Sequence, residues 1–136
     1  MIHEEICTYE VCKLAKEKGF PQDECGVNIG YYAWDGLRKI HSLVNSFAWY
    51  DEYNHDDLFL APTQSLLQRW LREDKGIVVE VMCLPTTRTS SKYEYKRHVF
   101  WGSDGHYIEG EYGDEIFDTY ELALEDALKY ALENLV

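Results

Sequence analysis

No stretch of this chain comes near the roughly 20 consecutive apolar residues that a membrane-spanning helix requires, so no membrane partner is expected. Its glycines are never clustered ahead of a helix, which removes the phosphate-cradling loop of nucleotide-binding folds. Cysteine is sparse: Cys7, Cys12, Cys25 and Cys83 show no C-x-x-C spacing. The expectation is reduced thiols in a cytoplasmic protein, not a disulfide or metal framework. The G-x-S-x-G, H-E-x-x-H and EF-hand signatures are all missing, so no catalytic residue and no cofactor is nominated. The opening, MIHEE, is acidic where an export signal would be basic, so export is not expected.

Positive charge is scarce too. Thirteen Lys and Arg stand against 25 Asp and Glu, a net charge of −12. Such a chain repels phosphate backbones and anionic lipid at long range, which disfavours general nucleic-acid binding. The imbalance is uneven: residues 1–63 carry −6, residues 64–103 carry +3, and residues 104–136 carry −9. Arg69, Arg72, Arg88, Lys92, Lys96 and Arg97 make up the positive middle. They either pair with neighbouring acids or mark a contact surface for an anionic partner.

Against these absences stands enough apolar material for a core. With 136 residues, 46% of them hydrophobic and 15% aromatic, the chain fits one domain, 1–136, and is too apolar to be disordered. The most legible segment runs from Ala61 to Val81, APTQSLLQRWLREDKGIVVEV. Thr63 can cap a helix, or Pro62 can occupy its first position. Leu66, Leu67, Trp70 and Leu71 share one face, with Gln64, Gln68, Arg69, Arg72 and Glu73 on the other. Gly76 stops the helix, and Ile77, Val78, Val79 and Val81 switch to β-branched strand text running to Leu84.

Elsewhere, Thr8 caps a first helix with Val11, Leu14 and Ala15 as its apolar stripe, ending at Gly19. Asp35-Gly36 between GVNIGYYAW and LRKIHSLV predicts a hairpin, with a helix over Asp35–Phe47 as the competing assignment. Residues 45–57, NSFAWYDEYNHDD, read as an acidic, aromatic loop. Lys92–Trp101 alternates like a strand, Ser103-Asp104-Gly105 turns, and His106–Tyr112 returns. A last helix starts at Asp118 or Thr119, with Tyr120, Leu124, Ala127, Leu128, Ala131 and Leu135 as its core stripe. The expected class is α+β, a single domain with helices packed on an antiparallel sheet, in the order α-β-β-α-β-β-β-α.

Few side chains suggest chemistry. His55-Asp56-Asp57, with Asp51 or Glu52 as a further ligand, is the nearest approach to a metal or acid–base cluster. Adjacent residues rarely converge on one ion, so ordinary loop residues are favoured and no metal is assigned. Cys7 and Cys12 suit buried, inert thiols better than nucleophiles. Trp70 and Trp101 read as core packing, whereas Trp34 and Trp49 lie in less regular text.

Three resemblances follow. From Thr63 onward the helix–strand–strand–strand–helix order resembles double-stranded-RNA-binding domains. The last helix of those domains carries bases, and here it carries Asp118, Glu121, Glu125 and Asp126. The ending DTYELALEDALKYALENL resembles the strand-to-helix segment of HicB-like antitoxins. The blocks TYEVCKLAKEKGF, APTQSLLQRWLRE and FDTYELALEDALKYAL are similar to a family of uncharacterised small bacterial and prophage-associated proteins. That last likeness implies a mobile-element setting and no activity. The expected function is a non-enzymatic protein-interaction module. A nucleic-acid-binding module using residues 69–97 is the second reading, and a metal-dependent enzyme centred on loop 51–57 the third.

Overall fold

The computed structural model describes residues 5–22, 30–33, 38–39, 58–85, 93–103 and 106–136. Among them stand three helices, α1 (Tyr9–Glu17), α2 (Gln64–Lys75) and α3 (Tyr120–Asn134). Six strands accompany these: β1 (Gly30–Ala33), β2 (Arg38–Lys39), β3 (Leu58–Ala61), β4 (Ile77–Pro85), β5 (Tyr93–Ser103) and β6 (His106–Tyr112). The class is α+β, with helices against antiparallel sheets, and the expected elements occur in the expected order. One strand, β3, is additional to them. The chain divides into two compact units between Leu66 and Leu67, inside α2.

In the first unit, Thr8 caps α1 by accepting the Val11 N–H at 3.4 Å. Gly19, at φ 98°, lets the chain leave the helix in the left-handed region. Val11, Cys12 and Ala15 are buried, and α1 packs on β3. The sheet order is β2-β1-β3, with Tyr31 opposite Lys39 and Tyr32 opposite Arg38. The predicted hairpin strands therefore pair; its Asp35-Gly36 tip and residues 40–57 lie outside the described residues. Tyr31 also faces Leu60 across the β1–β3 pair. The unforeseen β3 is four residues long, too short for periodicity to reveal it beside an acidic loop. Gln22 ties it down, accepting the Leu60 N–H at 2.8 Å while donating to the Phe20 carbonyl at 2.9 Å.

The segment Glu5–Cys7 runs beside the entry to α2. Ile6 bridges Thr63, the Cys7 N–H donates to Pro62 O at 3.0 Å, and the Gln64 N–H donates to Glu5 O at 2.8 Å. This pairing explains a departure from the helical pattern: Gln64, expected on the outer face, is only 5% exposed. Of the two capping frames, the structure takes Thr63, whose hydroxyl accepts the Leu66 N–H at 3.2 Å.

In the second unit, Gly76 at φ 67° turns the chain from α2 into β4. Strands β4, β5 and β6 form an antiparallel meander, with Val79 opposite Val99 and Val99 opposite Glu111. Helix α3, capped by Thr119, which accepts the Leu122 N–H at 3.1 Å, packs on β4 and β5. Its buried stripe is Ala123, Leu124, Ala127, Leu128, Ala131 and Leu132, and Ile77 and Val79 of β4 and Val99 of β5 are buried as well. Tyr120 departs from the expected stripe: it sits in the first turn, meets Tyr95 edge-on at 6.3 Å, and stays 43% exposed. Trp70 is buried as expected. Trp101 is only half-buried, because its indole N–H reaches outward to Glu109 at 3.0 Å.

Candidate interaction surface

Strand alternation distributes the charged side chains of the second unit. Arg97 shares a sheet face with Val99 and is drawn inward beneath α3. Its guanidinium donates twice to Glu111, at 3.0 and 3.1 Å, and once to Asp126 at 2.6 Å. It also lies 4.5 Å from the centre of the Tyr130 ring. The bonds to Glu111, then those to Asp126, hold its proton more firmly than usual, while partial burial works the other way. Gly113 makes room for it, since a Cβ there would meet the Arg97 Cγ at 2.7 Å. The result is a clasp joining β5, β6 and α3.

On the reverse face one cross-strand row carries Glu80, His98 and Tyr112. The His98 Nδ1 lies 2.7 Å from a Glu80 oxygen, and the imidazole stacks on Tyr112 at 4.1 Å and tilts against Phe100 at 4.9 Å. Among the described residues this row supplies one histidine and one carboxylate, and it reads as sheet packing.

The positive middle of the sequence does not gather into one patch among the described residues. Arg69 pairs with Glu73 at 3.1 Å along the exposed side of α2, Arg72 is exposed one turn away, and Arg97 belongs to the clasp. Lys96 is half-buried on the reverse face of β5, opposite Met82. Arg88 and Lys92 lie outside the described residues, as do His55, Asp56, Asp57, Asp51, Glu52, Cys25, Trp34 and Trp49. Among the described residues no group of three His, Cys, Asp or Glu is placed to hold a metal ion. Cys7 and Cys12 are buried free thiols, and Cys83 is an exposed one.

A surface that the charge count only hinted at lies where β6 gives way to α3. After Tyr112 the chain stays hydrogen-bonded to β5 through Gly113 N–H to Arg97 O, then bulges away. It rejoins at Phe117, which exchanges two backbone bonds with Tyr95 at 2.8 and 3.1 Å. The bulge and the following helical turn push apolar groups into water: Ile116 is 49% exposed and Leu122 54%, beside the half-exposed Tyr120. Tyr93, near Tyr95 on the adjacent strand, is 52% exposed. Asp114, Glu115, Asp118 and Glu121 are interleaved with them, all exposed. The Tyr95 hydroxyl is pushed above the ordinary tyrosine range by lost water contact, with Cys83 and Glu121 adding negative potential. The sequence signal was available in GDEIFDTYEL, where acid and apolar residues mix without the period of either a strand or a helix.

No helix among the described residues is long and apolar enough to cross a membrane. Comparison of the chain with protein-family models, with curated proteins and with solved structures finds no match in any of the three.

Proposed function

We propose that this protein acts by binding rather than by chemistry, and that its partner is another protein carrying positive charge. The observation that carries this reading is the acidic, apolar lip formed by Tyr93, Ile116, Tyr120 and Leu122 with Asp114, Glu115, Asp118 and Glu121. Exposed aromatic and aliphatic groups of this size bind protein surfaces, and their acidic surroundings select a basic one. The remainder of α3 extends the same field, with Glu125 and Glu133 against Lys129, while Asp126 is paired with Arg97. A mobile-element setting and a cytoplasmic location belong to this proposal, and rest on the three similar sequence blocks and on cysteine usage. A nucleic-acid interface has less support, because Arg97 is engaged by Glu111 and Asp126, and Arg69 by Glu73.

The test compares proteins retained from a lysate of the encoding organism by three baits. These are the natural chain, an Ile116→Ser/Leu122→Ser variant and an Arg72→Glu variant. A partner that is lost with the first variant, kept with the second and enriched in basic residues supports the reading. Identical retention by all three baits sinks it.

A further inference from the structure

The meander of the second unit has two outer edges, and they are treated differently. The Gly113 N–H bond to Arg97 O sets the phase of the β5–β6 ladder. In an antiparallel pair, hydrogen-bonded and non-bonded residue pairs alternate. Val99–Glu111 and Trp101–Glu109 are therefore bonded pairs, and Gly110 and Tyr112 turn their N–H and C=O groups away from β5. On the far side of the sheet the same alternation turns Val79 outward from β4. There the Val79 carbonyl is taken, accepting the Gln68 side-chain N–H at 2.5 Å. At β6 no protein group among the described residues takes the outward backbone of Gly110 or Tyr112, and both residues are exposed. Among the described residues, a glutamine takes one outward carbonyl of β4, and nothing takes the outward groups of Gly110 and Tyr112.

We propose that the outer edge of β6 accepts an extended, positively charged segment of a partner protein as an added strand. The inference rests on the binding reading above and specifies how the partner engages. The backbone of Gly110 and Tyr112 offers the ladder, and Gly110 leaves no side chain in the way of an approaching strand. Charge selects the occupant. Glu109 lies along the edge, and Asp114 and Glu115 project from the bulge at its end, whereas Glu111 is already held by Arg97. A strand bearing Lys or Arg meets Glu109 across the new pair and Asp114 and Glu115 beyond it. A second copy of this chain is a poor occupant, because antiparallel pairing about Gly110 sets Glu109 of one copy against Glu111 of the other.

The test uses the full chain and a short capped peptide alternating lysine and valine, with a glutamate–valine peptide as control. Amide hydrogen exchange is read residue by residue by NMR. Saturating lysine peptide slows exchange at Gly110 and Tyr112 and leaves Glu109 and Glu111, already bonded inward, unchanged; the glutamate peptide does neither. Gly110→Pro removes one outward donor without touching the β5 ladder, and weakens peptide binding by about tenfold or more. If that variant does not fold, the exchange pattern of the natural chain decides by itself. Three results overturn the inference: no binding at low ionic strength, binding without slowed exchange at Gly110 and Tyr112, or equal binding by folded Gly110→Pro. Should the peptide bind without that slowing and lose affinity in Ile116→Ser/Leu122→Ser, the edge fails while the lip reading stands.

Discussion

Replacing Arg97 with alanine removes three charge-assisted hydrogen bonds and a cation–π contact in one step. It also leaves Glu111 and Asp126, side chains only 27% and 24% exposed, without the cation they share. Breaking a fully buried pair costs about 3–5 kcal/mol, most of it from the charge left behind. Here Arg97 retains 20% exposure, so water offsets part of the loss, and about 2–4 kcal/mol is expected. Arg97→Lys keeps the charge but loses the planar fork, and recovers less than half of that. The measurement is urea unfolding followed by far-UV circular dichroism, with amide exchange across β5, β6 and α3 to localise the effect. A double-mutant cycle with Asp126→Ala should give a coupling of about 1–2 kcal/mol. An Arg97→Ala loss under about 1 kcal/mol, or one that disappears in high salt, would show a solvent-screened surface pair and refute the clasp.

Other outcomes follow from the same structure. Thr8→Ala and Thr119→Ala should each cost about 1 kcal/mol in a chemical-unfolding series, because each removes the hydroxyl that accepts a first-turn N–H. Gly76→Ala forces a Cβ onto φ 67°, and its loss of about 1–2 kcal/mol, read as a lower unfolding midpoint, should exceed that of Gly76→Asn. Site-resolved mass spectrometry after brief alkylation under native conditions should find Cys83 modified, with Cys7 and Cys12 labelled only after unfolding.

Two structural features beyond the clasp bear on the two margins of the meander. Gln68 on α2 takes the outward Val79 carbonyl of β4, so truncating it would remove that acceptor's side-chain partner. Tyr95 supports the lip from beneath, through its ladder bonds to Phe117 and its edge-on contact with Tyr120. Tyr93, Tyr120 and Leu122 are therefore presented by a hydrogen-bonded strand and a capped helix, and Ile116 by a bulge anchored at Gly113 and Phe117, which lowers the ordering cost of docking on them.

What the sequence by itself determined was local. Thr8 as a cap, Gly19 and Gly76 as stops, the β-branched run of β4 and the two-residue alternation of β5 are short-range physics, and each appears in the structure. Thr63 and Thr119 are each one of two starts the sequence allows, and the structure takes both. The α+β class followed from those signals, as did the buried stripe Leu124, Ala127, Leu128 and Ala131. Tertiary structure decided whatever depends on a neighbour distant in the chain. Gln64 is buried because Glu5–Cys7 runs beside it, and β3 exists because β1 pairs with it and Gln22 holds its Leu60. The charge segregation was visible in the sequence, yet the fate of each charge was not. Arg97 is bonded to acids 14 and 29 residues away, and no window along the chain contains that pairing. The exposure of Ile116, Tyr120 and Leu122 likewise depends on where the bulge leaves the ladder and where α3 begins to cover the sheet. Periodicity states which residues share a face; only the packed partner decides whether that face is buried.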